Sequence, residues 1–200
     1  MSIPERRPLI LGLGGTSRNG SSSERVLRVA LESAEKLGAR THVVAGDDMV
    51  LPMYNPVALE RAEKATRLVE LFRQADGIVI ASPAYHGSIS GLLKNAIDYT
   101  EDLRSDRRVY WDGCAVGFIC CAAGWQAGAQ TLTALRSVVH ALRGWPTPFG
   151  AIVNTSLPIF DEKGALVDES IRGQLELVGS QVTDFVMRSR SMASSVMGAA

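Results

Sequence analysis

Short, uninterrupted apolar runs alternate along this chain with longer segments in which apolar residues recur every three or four positions. An uninterrupted run is typical of a strand buried on both faces of a sheet, whereas the longer spacing is typical of an amphipathic helix. The runs predict strands at Pro8–Gly14, Arg40–Ala45, Gly77–Ala81, Ala115–Cys121 and Pro148–Asn154. The longer segments predict helices at Ser23–Leu37, Ala58–Gln74, Ala129–Leu142 and Ile171–Met187, with another helix after Gly91.

This alternation of strand and helix predicts an α/β fold with a parallel sheet, right-handed crossovers and helices on both faces. Five strands favour a three-layer sandwich with the flavodoxin-like strand order 2-1-3-4-5. Residues 1–190 are expected to form a single domain, which is large enough to bury its own core. The small, aperiodic residues Ser191–Ala200 are expected to form a frayed tail.

Composition excludes several classes of partner. The 200 residues carry 21 basic and 21 acidic side chains, and without a basic cluster the chain has no electrostatic footprint for nucleic acid. No apolar run is long enough to span a membrane or to form the core of an export signal. The three cysteines, Cys114, Cys120 and Cys121, lack the spacing of a disulfide framework or a zinc site. We therefore expect a soluble cytoplasmic protein without a metal, whose cysteines are small buried apolar residues.

The segment Gly14–Ser23 joins the first predicted strand to the first predicted helix and has the composition of an anion site. Several backbone N–H groups, a row of hydroxyls and the Arg18 guanidinium converge at a helix N-terminus, which has unsatisfied donors and a partial positive charge. A serine-capped helix with a solvated arginine would show the same pattern.

Two common nucleotide motifs do not fit this segment. Gly15 and Gly20 have the spacing of a Walker loop, but serines follow where that motif needs lysine and then serine or threonine. The third glycine of a dinucleotide fingerprint would fall at Ser17. The remaining candidate is a mononucleotide such as FMN, with its phosphate on this loop and its ring against the loop after the third strand.

The segment after the third predicted strand carries a family resemblance. Residues 82–98 have the sequence S-P-A-Y-H-G-S-I-S-G-L-L-K-N-A-I-D, which is similar to the pattern S-P-E-Y-[NH]-G-S-x-[PS]-G-x-L-K-N-A-[IL]-D of the NADPH-dependent FMN reductases. The first loop resembles that family's G-[ST]-x-R-x-x-S-x-[NS], and Leu51-Pro52-Met53-Tyr54 resembles its loop after the second strand. Together the similarities cover roughly residues 8 to 155.

The resemblance implies a flavodoxin-like enzyme in which FMN takes a hydride from NADPH or NADH and passes electrons to a small acceptor. The phosphate would bind the first loop, and the ring would meet the backbone of residues 83–87 and 123–124, with Tyr85 beside it. Ala84 stands where many members have glutamate, and no side chain is predicted to be catalytic. The predicted cofactor-binding residues are Thr16, Ser17, Arg18, Ser21, Ser22, Ser23, Pro83, Ala84, Tyr85, His86, Gly87, Ala123, Gly124 and Trp125.

Alternatives remain open for the reaction. The acceptor could be free FMN, or a quinone, azo dye or chromate with FMN as a permanent prosthetic group. An electron carrier or interaction module that does not oxidise nicotinamide is a further alternative, although such carriers are usually strongly acidic and this chain has no net charge. The resemblance also implies a homodimer or homotetramer, with interface candidates Leu92, Leu93, Ala96, Ile97 and Tyr110-Trp111.

Overall fold

Five apolar segments form one parallel sheet, and the segments between them form helices that cover both faces. In the computed structural model, which describes residues 6–197 and side chains as far as residue 192, the strands are β1 (Leu9–Gly14), β2 (Arg40–Val44), β3 (Gly77–Pro83), β4 (Ala115–Ala122) and β5 (Trp145–Asn154). The helices are α1 (Ser22–Lys36), α2 (Glu63–Gln74), α3 (Gly91–Asp98), α4 (Trp125–Ala141) and α5 (Glu169–Met197). Two short 3-10 helices lie at Gly46–Met49 and Tyr99–Leu103.

The strand order is β2-β1-β3-β4-β5, and every pair of neighbouring strands is parallel. This order confirms the predicted flavodoxin-like architecture. The chain reverses the direction in which it adds strands after β2, so β1 has β2 on one side and β3 on the other. The loops that follow β1 and β3 therefore leave the sheet side by side at its carboxyl edge, where ligands bind in open α/β sheets.

Each face of the sheet is covered by its own apolar cluster. Ile10 of β1 packs in the cluster that contains α1 and α5, while the next residue, Leu11, packs in the cluster that contains α2, α3 and α4. Both side chains are fully buried. Burial on both faces is the physical reason that β1 is an apolar run without alternation.

The structure corrects the start of α2. The spacing of Leu59 and Ala62 predicted a helix from Ala58, but α2 begins at Glu63. The guanidinium of Arg61 instead makes two 2.8 Å hydrogen bonds to the Asp102 carboxylate and one of 2.9 Å to the carbonyl of Asn55. These bonds hold residues 55–62 as an irregular loop and leave Leu59 fully exposed.

Two further boundaries differ from the prediction because packing partners distant in sequence decide them. Helix α4 begins at Trp125 rather than Ala129, and its first turn includes Gly128. A Cβ atom on Gly128 would lie 2.4 Å from Cγ2 of Ile152, so glycine lets this turn pack closely against β5. Strand β5 begins at Trp145 rather than Pro148. It is an edge strand, in which prolines are tolerated, and Pro148 lies where its register with β4 shifts.

The last helix extends well beyond the predicted boundary at Met187. Helix α5 continues to Met197, so residues 191–197 are helical where the sequence predicted a frayed tail; residues 198–200 lie outside the described part. Once a helix has formed, each added residue needs little further stabilisation, and small residues such as alanine continue it readily. Within residues 6–197, no helix has both the length and the apolar character that crossing a bilayer requires.

The contact between α1 and α5 yields a prediction for Gly179. A Cβ atom at this position would lie 2.0 Å from the carbonyl oxygen of Ala30, so Gly179→Ala must separate the two helices. We expect the free energy of unfolding to fall by about 1–3 kcal/mol, the usual cost of overpacking, measured by urea denaturation. The matched control is Gly173→Ala in the same helix, where the added Cβ meets nothing within 4 Å. That change should leave stability equal or higher because alanine favours helix, and equal losses in both variants would contradict the prediction.

Candidate active site

The loop between β1 and α1 presents hydrogen-bond donors at the amino end of α1. Ser21 is the N-cap residue, and its hydroxyl accepts from the Glu24 N–H at 3.3 Å and from the Thr16 hydroxyl at 2.8 Å. The Ser23 hydroxyl lies 3.2 Å from that of Ser21. In the described part of the chain, the backbone N–H groups of Thr16 and Ser22 donate to no protein group. A helix N-terminus with free donors and clustered hydroxyls is suited to an anion.

The charged side chains around this loop differ in whether they form ion pairs. Glu24 is buried and accepts the Gly20 N–H at 2.8 Å and the Arg28 guanidinium at 2.7 and 3.0 Å. Burial alone would raise the pKa of Glu24, but these bonds outweigh it and hold that pKa below its usual range. Arg28 is thus neutralised, whereas exposed Arg18 forms no ion pair with any residue that the structure describes.

The loop between β3 and α3 is a tight turn with an unusual backbone. The Ser88 N–H donates to the Tyr85 carbonyl at 3.1 Å, and both central residues, His86 and Gly87, have positive φ, at 53° and 78°. Positive φ at both central positions is the geometry of a type I′ turn, which glycine and asparagine favour and which histidine enters more readily than most other residues. The turn projects Tyr85, which is 57% exposed, above the carboxyl edge of the sheet.

Backbone hydrogen bonds connect each of these loops to the end of the neighbouring strand. The Gly15 N–H donates to the Ala81 carbonyl at 2.8 Å, and the Ala84 N–H donates to the Cys121 carbonyl at 2.9 Å. A Cβ atom on Gly15 would lie 2.8 Å from Cδ of Pro83. Glycine at this position therefore allows the β1 and β3 loops to approach more closely than any side chain would permit. The contact made by Ala84 uses its main chain, so it does not depend on a glutamate side chain.

These loops surround an open pocket of about 380 Å³. Its described lining carries one positive charge, that of Arg18, and no carboxylate. Most of the predicted cofactor-binding residues lie here, namely Thr16, Arg18, Ser21, Ser22, Ser23, Pro83, Ala84, Tyr85, His86 and Ala123. The structure thus brings the predicted phosphate loop and the predicted ring loop to opposite sides of one cavity.

Four other predicted residues lie outside this lining. Ser17 borders an adjoining pocket of about 510 Å³, which shares Arg18 and Tyr85 with the first. Gly87 occupies the turn, Gly124 is the N-cap of α4, and Trp125 is the exposed first residue of that helix; none of these three borders either pocket.

Two residues that line the pocket, Cys121 and Thr155, were not predicted from the sequence; Ala122, the first residue of the segment 122–126 that resembles the family's third ligand loop, lines it as well. Cys121 and Ala122 end β4, and Thr155 follows β5 directly. Their position at the ends of neighbouring parallel strands was a usable signal once the strand order was known. The Cys121 thiol is buried, and burial raises its pKa to about 12, as it does for Cys120. Neither thiol is a nucleophile at neutral pH, consistent with the prediction of small apolar residues.

Comparison with known proteins identifies the family. A sequence profile described as NADPH-dependent FMN reductase matches residues 8–156. The chain belongs to the NADPH-dependent FMN reductase family.

Individual relatives of this reductase family agree with that assignment. The chain is 27% identical over 176 residues to an NAD(P)H-dependent FMN reductase of Pseudomonas aeruginosa, covering 86% of this chain and 90% of the relative. It is 29% identical over 178 residues to an NAD(P)H:quinone oxidoreductase of Solanum tuberosum, covering 84% and 88%. The fold matches that of FerB, a flavoenzyme NAD(P)H:(acceptor) oxidoreductase of Paracoccus denitrificans, with a TM-score of 0.75 and 20% identity over 90% of this chain and 98% of that one.

Family membership confirms the main functional predictions drawn from the sequence. The chain is an NAD(P)H-dependent flavin oxidoreductase, and its cofactors are FMN and NAD(P)H. The assignment of individual residues to the cofactor stays a prediction, which the geometry of the pocket allows to be tested.

The turn geometry predicts that position 86 requires a residue that tolerates positive φ, and that the His86 side chain takes no part in acid–base chemistry. His86→Asn keeps a residue that tolerates positive φ, whereas His86→Val places a β-branched residue in a conformation that it strongly disfavours. We expect the valine variant to be less stable than the asparagine variant by about 1–2 kcal/mol in thermal or urea unfolding. Turnover of His86→Asn should stay near that of the unmodified protein, and a large loss of turnover without a loss of stability would contradict this interpretation.

Proposed function

We propose that this reductase binds FMN in the pocket of about 380 Å³, with the phosphate at the β1–α1 loop and the ring against residues 83–86 and 121–123. The observation that carries the proposal is the presence of an anion-binding loop and a backbone-lined cleft in a single cavity. Neither part alone would specify a flavin mononucleotide.

The residues present fit a phosphate with an attached planar ring. Arg18 supplies an uncompensated positive charge, and the N–H groups of Thr16 and Ser22 are free to donate. The ring side offers small or flat surfaces, among them Pro83, Ala84 and Ala122, so the backbone can approach a flat ligand closely.

Bound FMN would supply the redox chemistry, accepting a hydride from NAD(P)H and passing two electrons to an acceptor. The chain's own residues bind and orient the cofactor: Arg18 and the first turn of α1 hold the phosphate, and the Tyr85–Ser88 turn fixes the edge of the ring. No side chain in the pocket has the burial and charge partner of a tuned acid or base, so we assign none to proton transfer.

A reaction test distinguishes this enzyme from a flavodoxin-like electron carrier. Purified protein is mixed with FMN and NADPH under anaerobic conditions, with FMN and NADPH alone as the control. We expect the flavin absorbance near the visible maximum to bleach only when the protein is present. Subsequent addition of a quinone should restore the colour if quinones are acceptors, as the plant relative's name suggests for that protein. Persistent yellow colour with protein present would favour the carrier.

The charge of Arg18 provides a direct test of the phosphate site. Arg18→Ala removes one charge-assisted contact of about 1.5–3 kcal/mol, so FMN affinity should fall by about one to two orders of magnitude. Affinity for riboflavin, which has no phosphate, should be unchanged. The matched control is Arg25→Ala in the adjoining α1 helix, because the Arg25 guanidinium lies over the ring of Phe160 instead of facing the pocket. Equal FMN affinity in Arg18→Ala and the unmodified protein would place the phosphate elsewhere.

We propose that the protein acts as a cytoplasmic homodimer. Three buried free cysteines fit a reducing compartment. The structure shows that several residues expected at the interface from the sequence, Leu93, Ala96, Ile97 and Trp111, are buried in the core of their own subunit. A better candidate surface combines exposed Met53, Val57 and Leu59 with a nearby groove. The lining of this groove includes Tyr54, Val138 and Leu142 together with the charged side chains of Lys94, Asp98 and Glu101.

The proposed interface predicts that Leu59→Glu converts the dimer to a monomer, because a charge would be placed in an apolar contact. Sedimentation analysis measures the mass directly. Val167→Glu is the matched control, since Val167 is about half exposed but lies on a different loop. Dimerisation of the Leu59 variant at the same concentration as the unmodified protein would exclude this surface.

A further inference from the structure

Ser90 joins the two loops of the FMN site. It is the N-cap residue of α3, and its hydroxyl accepts from the Leu93 N–H at 3.1 Å. The same hydroxyl donates to the Gly15 carbonyl across the cavity wall at 2.7 Å. Only 3% of Ser90 is exposed, so water does not compete for either bond.

The bond to Gly15 determines the orientation of the neighbouring peptide group. In a planar trans peptide the C=O and the following N–H point in opposite directions. A Gly15 carbonyl fixed on Ser90 therefore fixes the Thr16 N–H so that it points away from Ser90. This N–H donates to no group in the described part of the protein and belongs to a residue that lines the FMN pocket.

Further hydrogen bonds continue from Thr16 to the first turn of α1. The Thr16 hydroxyl donates to that of Ser21, which caps α1. The two loops are thus joined in series, from the α3 cap through the Gly15–Thr16 peptide to the α1 cap. On the other side, the Ser90 N–H donates to the buried Ser82 hydroxyl at 3.3 Å, so Ser90 itself is held in place from the end of β3.

We propose that Ser90 is a positioning residue that prepares the β1–α1 loop for the flavin phosphate, although it lies in the loop assigned to the ring. It acts through the Gly15–Thr16 peptide and does not need to contact the ligand. The proposal rests on the FMN site described above and adds to it a specific route by which the ring loop controls phosphate binding.

The test compares FMN with riboflavin, which differ only in the phosphate. Ser90→Ala should lower FMN affinity about three- to thirtyfold, because the Thr16 N–H is then no longer oriented in advance and must be ordered when the phosphate binds. Riboflavin affinity should change less than about twofold, because the ring contacts remain. The ratio of the two dissociation constants, measured by fluorescence titration of apoprotein, is a readout that a general loss of stability would not move.

Two further variants separate the effect of the Ser90–Gly15 hydrogen bond from the effect of the α3 helix cap. Glycine is a far better N-cap than alanine, so Ser90→Gly should keep more of the stability of α3 than Ser90→Ala does. Both variants should lose the preference for FMN over riboflavin to the same extent. Ser105→Ala is the matched serine control: its side chain is exposed, it borders neither of the two adjoining pockets, and it should leave both affinities unchanged.

The possible outcomes separate the role of Ser90 from the location of the FMN site. Equal losses of FMN and riboflavin affinity in Ser90→Ala, or no loss of either, would overturn the role of Ser90 while leaving the FMN site intact. Failure of the unmodified protein to prefer FMN over riboflavin would overturn the proposed phosphate site and, with it, this inference.

Discussion

The close contact between Gly15 and the end of β3 is the constraint on which the site depends. The Gly15 N–H bonds to the Ala81 carbonyl, and its Cα packs so near Pro83 that a Cβ atom would approach to 2.8 Å. This contact sets the distance between the β1 and β3 loops. It exists because the strand order places β1 directly beside β3. The cavity between the loops is therefore a consequence of sheet topology combined with one residue that lacks a side chain.

The remaining walls are also fixed by hydrogen bonds between neighbouring elements, in which a main-chain N–H is the donor. On the β4 side, Ala84 bonds to the Cys121 carbonyl; on the β2 side, the Asn19 side-chain oxygen accepts the Asp47 N–H at 3.3 Å. Exposed side chains such as Arg18 and Tyr85 extend from this frame of hydrogen-bonded loop backbone. A frame built from backbone explains how the site can keep its shape with alanine at position 84, where many family members have glutamate.

Sequence patterns were most informative where a residue's environment follows from its immediate neighbours. Buried strands such as β1 and β3 were predicted nearly to the residue, because burial on both faces demands continuous apolar sequence. They were least informative where a distant partner decides the conformation. The loop before α2 has helical spacing, yet the hydrogen bonds from Arg61 to Asp102 hold this segment in an irregular conformation. The start of β5 contains prolines that would argue against a central strand, and only its position at the sheet edge makes them acceptable.

Apolar periodicity and the two loop motifs are local properties of the chain, so they were enough to predict the class of fold, the family and most of the residues around the pocket. Cys121 and Thr155 became recognisable as parts of the pocket once the chain was folded, as did the bond from Ser90 to Gly15 across 75 residues. The folded chain also buries Leu93 and Ala96 fully in its own core. These features depend on which strands become neighbours and which helix face meets the sheet, and packing of the whole chain decides both.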